Sequence, residues 1–271
     1  MVRRRAPRRE EGAETTVPSR AEILSPKHFD GVIFELDGVV TNTVGLHFRA
    51  WEKTFNALLR TLDGRRMDPF NREEFRQFVD GKPREEAIQS FLDARGITLP
   101  LGEALPAADE AWTHETDSVY GLSKMKHRHF VQFIESGQLT VNEEALELLH
   151  GLIQAGIKTA VVSPSQSTRR ILSILDLESL FDVVVDATTF AADGIAGKPG
   201  SDIFMEALTR LGVTRDRTVI IESDRPAVEA GRGAGFGLIV VIAGDGAEKK
   251  RFLSRGADLA VESLAELRVR M

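Results

Sequence analysis

Residues 31 to 43 read GVIFELDGVVTNT, and this stretch decides how the chain is interpreted. An apolar run typical of a buried strand leads into a loop that holds two carboxylates, Glu35 and Asp37, two positions apart. Gly38 follows them and allows the backbone to turn sharply. Because open α/β sheets bind ligands in crevices at the carboxyl ends of their strands, the stretch predicts a functional site at the end of a strand.

The second half of the chain alternates between short apolar strands and amphipathic helices. Strands are predicted at residues 158–163, 183–186, 218–222, 238–242 and 259–261. Helices are predicted between them at residues 167–175, 201–211, 227–235 and 248–255. The strands are almost wholly apolar, as expected for strands that are buried on both faces of a parallel sheet. This alternation predicts an α/β fold with a doubly wound, Rossmann-like parallel sheet.

Residues 44–139 show helical spacing of apolar residues and no convincing strand. A further helix is predicted at 141–155, closed by Gly156. We therefore predict a helical cap at 44–139, inserted after the first strand, and an α/β core formed by residues 27–43 and 140–271. A substrate cleft between cap and core follows from this division.

The first 26 residues are rich in arginine and lack apolar periodicity, which predicts a disordered basic tail. The chain of 271 residues has a net charge of −6, so nucleic acid is not an expected partner. No apolar run reaches the about 18 residues of a membrane span, so no membrane partner is predicted. The chain has no cysteine, which excludes disulfides and thiolate catalysis. We expect a cytoplasmic monomer or weak homodimer.

Polar residues also follow other predicted strands, and in a parallel sheet their loops open on the same edge. Ser163 ends the second strand, and Lys198 lies in the sequence GKP at 197–199. Glu222 and Asp224 follow a later strand. Mg²⁺ prefers carboxylate ligands, while a lysine and a hydroxyl neutralise and orient phosphate oxygens. The set therefore suits a phosphoryl group together with a divalent metal such as Mg²⁺.

Each of these residues also has a purely structural interpretation. Glu35 and Asp37 can be a solvated pair at a strand end. Ser163 can be a helix-entry residue, and Lys198 can be a surface lysine. His47 can pack against the cap. Three cap residues are interpreted as a solvated face rather than as ligands: Lys124, Lys126 and His127.

Several sequence phrases occur together in one order: LHFRAW at 46–51, VDGKPR at 79–84, GKP at 197–199 with DIF at 202–204, and VEAGR at 228–232. In this order they resemble phrases of the haloacid dehalogenase superfamily of phosphotransferases. The resemblance is to its β-phosphoglucomutase-like branch, which has a helical cap in this position. It covers about residues 29–261, nearly everything except the tail.

The resemblance implies roles for the strand-end residues. Glu35 stands at the position of a nucleophilic aspartate that forms an acyl phosphate, and Asp37 matches the general acid and base. Ser163 and Lys198 match the groups that bind the transferring phosphoryl group.

The resemblance also implies substrate and metal contacts. In the cap, His47 and Arg84 match positions that contact the distal phosphate or sugar. Glu222 matches an acidic residue near Mg²⁺. The predicted metal ligands are Glu35, Asp37, Glu222 and Asp224.

Three departures from the family pattern concern the site. Glu35 replaces aspartate, Ser223 interrupts a pair of adjacent acids, and Asn42 replaces a common aspartate. Residues Gly200 and Ser201 also differ from the usual sequence. The extra methylene of Glu35 displaces its carboxylate by roughly 1 Å, and an error of that size can cost about a hundredfold in rate. The role of Glu35 as nucleophile, base or metal ligand is therefore left open.

Three functions are compatible with the sequence. The favoured function is a Mg²⁺-dependent phosphatase of small phosphorylated sugars, with a trehalose-like or pseudo-disaccharide phosphate as the expected subclass. The second is a β-phosphoglucomutase-like isomerase, which requires a cap that retains a bisphosphate intermediate. The third is a catalytically silent relative that binds a phosphorylated ligand or partner.

Overall fold

The computed structural model describes residues 23–62, 67–80, 82–102, 116–189 and 200–271. Lys198 lies outside the described residues, as do the first 22 residues of the predicted tail. The predicted end of the tail at residue 26 was wrong. Strand β1 (Ile23–Leu24) pairs in parallel with β8 (Arg268–Val269), and Leu24 is fully buried. Two apolar residues are too short a pattern to predict a strand from sequence.

Six further strands form one parallel sheet: β2 (Gly31–Glu35), β3 (Lys158–Val162), β4 (Val183–Val185), β5 (Thr218–Glu222), β6 (Leu238–Ile242) and β7 (Leu259–Val261). Their order is β4-β3-β2-β5-β6-β7, and all neighbours are parallel. Strand β2 is central and every one of its residues is buried. The predicted α/β fold with a doubly wound parallel sheet is confirmed.

The helices are α1 (Val44–Thr61), α2 (Arg72–Glu74), α3 (Arg84–Arg95), α4 (Val119–Phe133), α5 (Glu143–Gln154), α6 (Thr168–Ile174), α7 (Asp202–Leu211), α8 (Arg225–Ala234) and α9 (Gly246–Leu253). A π-helical turn, Phe75–Val79, continues α2. Helix α8 begins two residues earlier than predicted because Asp224 caps it, accepting from the backbone N–H of Ala227. In the described part of the chain, no helix has the length and apolar character needed to cross a bilayer.

Both faces of the sheet are covered by helices, as the alternating side chains of β2 require. Val32 and Phe34 pack in one apolar cluster with residues of α5 and α6. Ile33 packs in a second cluster with residues of α7 and α8. Because successive side chains of a strand point to opposite faces, a strand that is apolar throughout must be covered on both sides.

The helices α1 to α4, inserted between β2 and α5, have an apolar cluster of their own. Phe55 of α1 stacks on Phe91 of α3 with ring centroids 3.9 Å apart, and Phe70 packs against both rings. Such aromatic contacts contribute about 0.5–1.5 kcal/mol each beyond burial. The division into a cap at 44–139 and a core stays a prediction.

The close approach at Gly237, between α8 and β6, gives a test of the core packing. A Cβ at this position would lie 2.2 Å from the backbone oxygen of Asp216, which cannot move without shifting the loop before β5. We expect Gly237→Ala to lower the free energy of unfolding by about 2 kcal/mol, measured by urea denaturation. The matched control is Gly233→Ala in α8, where a Cβ meets nothing within 4 Å. The control should be neutral or stabilising by up to about 1 kcal/mol, and equal losses in both variants would contradict the prediction.

Candidate active site

The register of the three central strands brings the predicted site residues together. Glu35 is the last residue of β2 and pairs with Val162, so Ser163 follows directly on the neighbouring strand. Glu222 is the last residue of β5, on the other side of β2. Residues from three separate parts of the sequence therefore meet at one edge of the sheet, as parallel pairing requires.

Asp37 lies in the loop after β2 and is held by three side chains. Thr43 donates to Oδ1, Ser163 Oγ donates to Oδ2 at 3.2 Å, and His47 Nε2 faces Oδ1 at 3.5 Å. Burial alone would raise the pKa of Asp37, but His47 and the two hydroxyls outweigh burial and lower the pKa to about 2. Asp37 is therefore a carboxylate at neutral pH.

Glu35, Glu222 and Asp224 form an acidic cluster, with one carboxylate oxygen from each lying within 4.8 Å of the others. Glu35 is 6% exposed and Glu222 is fully buried. Carboxylate oxygens are the ligands that Mg²⁺ prefers, so these three residues would hold such a cation. Buried like charges at this separation also favour a cation. Asp37 is not part of this cluster, and its predicted role as a metal ligand stays a prediction.

Ser223, which the sequence presented only as a departure from the family pattern, contacts Glu35 directly. Its backbone N–H donates to Glu35 Oε2 at 3.0 Å, and its hydroxyl donates to the same oxygen at 2.6 Å. Ser223 therefore connects the loop after β5 to the end of β2. No sequence pattern indicated this contact, because it joins residues 188 positions apart.

Lys126 does not lie on a solvated face, so the prediction from the sequence was wrong for this residue. It is only 5% exposed, and its Nζ lies 2.7 Å from Nδ1 of His47. The ammonium also lies over the rings of Trp51 and Phe130, 5.4 and 4.7 Å from their centroids. Lys126 precedes the buried Phe130 by four residues, so both share one face of α4. That spacing was the available sequence signal.

The structure shows the packing role of His47, while its predicted contact with substrate stays a prediction. Its ring stacks on Phe130 with centroids 3.9 Å apart, and it bridges Lys126 and Asp37. Burial lowers the pKa of His47 and Lys126 lowers it further, although Asp37 opposes this shift. Burial likewise lowers the pKa of Lys126 to about 7, with a further decrease caused by the charge of Arg84.

Arg84 begins α3 and lies close enough to lower the pKa of both His47 and Lys126. Its Nη1 is 3.5 Å from the hydroxyl of Ser123, which donates to Glu85 at 2.7 Å. The inserted helices therefore bring cationic side chains toward Asp37. The other residues assigned to a solvated face, Lys124 and His127, are half-buried.

Comparison with known proteins is consistent with this geometry. A family model described as haloacid dehalogenase-like hydrolase matches residues 29–235. A β-phosphoglucomutase of Mycobacterium bovis is 35% identical over 257 residues, covering 92% of this chain and 95% of the relative. A phosphorylated carbohydrates phosphatase of Thermotoga maritima is 28% identical over 230 residues, covering 84% and 92%. The solved structure of CbbY from Rhodobacter sphaeroides in complex with phosphate has a TM-score of 0.66 and 26% identity, covering 89% of this chain and 97% of that one.

The sheet, the edge carboxylates and these matches define an α/β enzyme of the hydrolase class. The chain belongs to the haloacid dehalogenase-like hydrolase family. The family predicted from the sequence is confirmed, and its relatives include a mutase and a phosphatase.

The buried ammonium of Lys126 predicts a specific dependence of stability on pH. Its pKa of about 7 in the folded chain lies below the ordinary lysine value of 10.5, so the unfolded chain binds more protons between these values. Stability conferred through this group is therefore greatest above pH 10.5 and falls as the pH drops toward 7. Relative to Lys126→Met, the parent should gain about 2 kcal/mol of unfolding free energy between pH 7 and 9.

Urea denaturation at several pH values measures this difference. Met125→Leu, a neighbouring substitution on α4 that involves no titrating group, is the control and should show a constant difference from the parent. A constant difference for Lys126→Met as well would show that Lys126 keeps an ordinary affinity for protons.

Proposed function

We propose that this chain is a Mg²⁺-dependent phosphatase of small phosphorylated sugars. The observation that carries the proposal is the acidic cluster of Glu35, Glu222 and Asp224 beside Asp37 and Ser163. Hydrolysis of a phosphate ester needs a cation site, a hydroxyl donor and a proton acceptor close to one another. The T. maritima relative is named as a phosphatase of phosphorylated carbohydrates, which supports the same class of substrate.

The side chains divide the proposed reaction between them. Glu35, Glu222 and Asp224 hold the cation, which neutralises charge on the phosphate oxygens when bound. Ser163 orients the phosphoryl group through its hydroxyl. Asp37 takes the proton of the attacking water and returns a proton to the leaving sugar oxygen. The matched motif gives Lys198 a phosphate-binding role in this proposal.

The cationic groups on the inserted helices favour an anionic, polar substrate. Arg84 and Lys126 lie near Asp37 and would neutralise a phosphate, and His47, whose pKa is lowered, would bind sugar hydroxyls. These helices act as a cap in this proposal. The trehalose-like or pseudo-disaccharide subclass stays a prediction from the sequence.

A β-phosphoglucomutase-like isomerase is the second candidate. Its support is the 35% identity to a relative with that name, together with the chain of contacts from Lys126 through His47 to Asp37. A mutase must move a phosphoryl group between two sugar positions and exclude water during the transfer. The products therefore distinguish the two reactions, since the phosphatase releases inorganic phosphate and the mutase interconverts hexose phosphates.

The proposal predicts that a panel of sugar phosphates releases inorganic phosphate only when Mg²⁺ is present. Removal of the cation with EDTA should abolish release, and added Mg²⁺ should restore it. Asp37→Asn should lower kcat by about 10²–10⁴-fold, because it removes the proton acceptor. The matched control is Asp216→Asn, an exposed residue before β5 on the opposite edge of the sheet, which should retain activity.

Three outcomes would contradict the proposal of a Mg²⁺-dependent phosphatase. Phosphate release that EDTA does not affect would show that the reaction does not need the cation. Interconversion of hexose phosphates without phosphate release would establish the mutase. No turnover by the parent but strong turnover by Glu35→Asp would identify a catalytically silent relative.

A further inference from the structure

The carboxylate of Glu35 is fixed by Ser223 through a single oxygen. Oε2 accepts one hydrogen bond from the backbone N–H at 3.0 Å and another from the hydroxyl at 2.6 Å. A carboxylate oxygen has two lone-pair sites, so these two bonds engage both sites of Oε2. Hydrogen bonds to a charged acceptor are stronger than those between neutral groups, which makes this a strong constraint on the carboxylate.

The backbone around Ser223 keeps the contact in place. Ser223 lies between Glu222 and Asp224, so it is anchored at the end of β5 and at the start of α8. Its hydroxyl also lies 3.3 Å from the backbone oxygen of Asp37. Gly38, with φ of +85°, lets the loop after β2 approach Ser223 closely. A Cβ at Gly38 would lie 3.0 Å from Ser223 Oγ.

Ser223 suits the longer side chain of Glu35 for electrostatic reasons. An acid at position 223 would put another negative charge beside Oε2 and would remove the hydroxyl donor. A serine instead supplies a neutral donor to the carboxylate, and the added methylene of Glu35 spans the distance to it. The departures at these two positions therefore fit each other as a pair.

We propose that Ser223 is a positioning residue that holds Glu35 beside Glu222 and Asp224 as a cation ligand, and that Glu35 does not attack phosphorus. The inference rests on the cation of the proposed function. A carboxylate that both binds a cation and attacks phosphorus divides these tasks between its two oxygens. Because Ser223 engages Oε2, the two tasks can no longer be divided between the two oxygens.

The attacking group is then water. The water oxygen forms a bond to phosphorus while the ester bond between phosphorus and the sugar oxygen breaks. Asp37, which lies beside Ser163, takes the proton of the water and transfers it to the sugar oxygen. The products are inorganic phosphate and the free sugar, and no phosphorylated side chain is formed.

Mn²⁺ binding to the full chain, measured by electron paramagnetic resonance without substrate, tests the positioning role. Ser223→Ala should weaken Mn²⁺ binding about tenfold, as expected when a group that orients a metal ligand is lost. Ser223→Thr keeps the hydroxyl and should stay within about twofold of the parent. The matched control is Ser118→Ala, a buried serine that caps α4, which should lower stability but leave Mn²⁺ binding unchanged.

Intact-mass measurement of the parent after exposure to acetyl phosphate and to the sugar phosphate panel tests the second part. We expect no covalent phosphoryl group. Attachment of a phosphoryl group to Glu35 would overturn the inference, as would unchanged Mn²⁺ affinity in Ser223→Ala or absence of Mn²⁺ binding to the parent.

Neither measurement depends on turnover. An inactive parent that binds Mn²⁺ and loses affinity in Ser223→Ala would refute the phosphatase but support the positioning role. Phosphate release accompanied by phosphorylated Glu35 would support the phosphatase and refute the inference.

Discussion

The burial of carboxylates at the ends of adjacent strands is the constraint on which the site depends. Strand β2 lies between β3 and β5, and this pairing forces Glu35 and Glu222 out of water and toward each other. Buried like charges are unfavourable unless donors or a cation compensate them. Ser223 donates to Glu35, while Thr43 and Ser163 donate to the neighbouring Asp37. The cluster of Glu35, Glu222 and Asp224 would suit a hard cation.

The inserted helices add the opposite charge to the same region. Burying a lysine is unfavourable by itself, and the lowered pKa of Lys126 is the direct consequence of that burial. Aromatic rings around its ammonium reduce the penalty, and Nδ1 of His47 accepts a hydrogen bond from it. Perturbed cations gathered around a perturbed carboxylate are typical of sites that bind or transform charged ligands, because a stable fold does not require them.

The sequence predicted the fold well where one physical rule dominates. Strands β5, β6 and β7 have the predicted bounds because continuous apolar, β-branched runs have no alternative to burial between helices. Parallel pairing then made the meeting of Glu35, Ser163 and Glu222 predictable. Lys126 was misassigned because lysine is rarely buried, so the composition of α4 outweighed its periodicity. The contact between Ser223 and Glu35 depends on side-chain direction at long range, which no local pattern contains.

The hydrogen-bonding of His47 connects the position of the inserted helices to the proton affinity of Asp37. Lys126 has only donors when protonated, so Nδ1 of His47 accepts from it and a neutral ring carries its proton on Nε2, facing Asp37. That interaction is the largest of those that lower the pKa of Asp37 against the effect of burial. A movement of α1 that withdrew His47 would raise the pKa of Asp37, because only Thr43 and Ser163 would then oppose the effect of burial. With His47 in place, Asp37 is ionised at neutral pH and is a weak base. A proton that Asp37 has taken up is transferred readily to a leaving oxygen, because the low pKa makes the protonated side chain a strong acid.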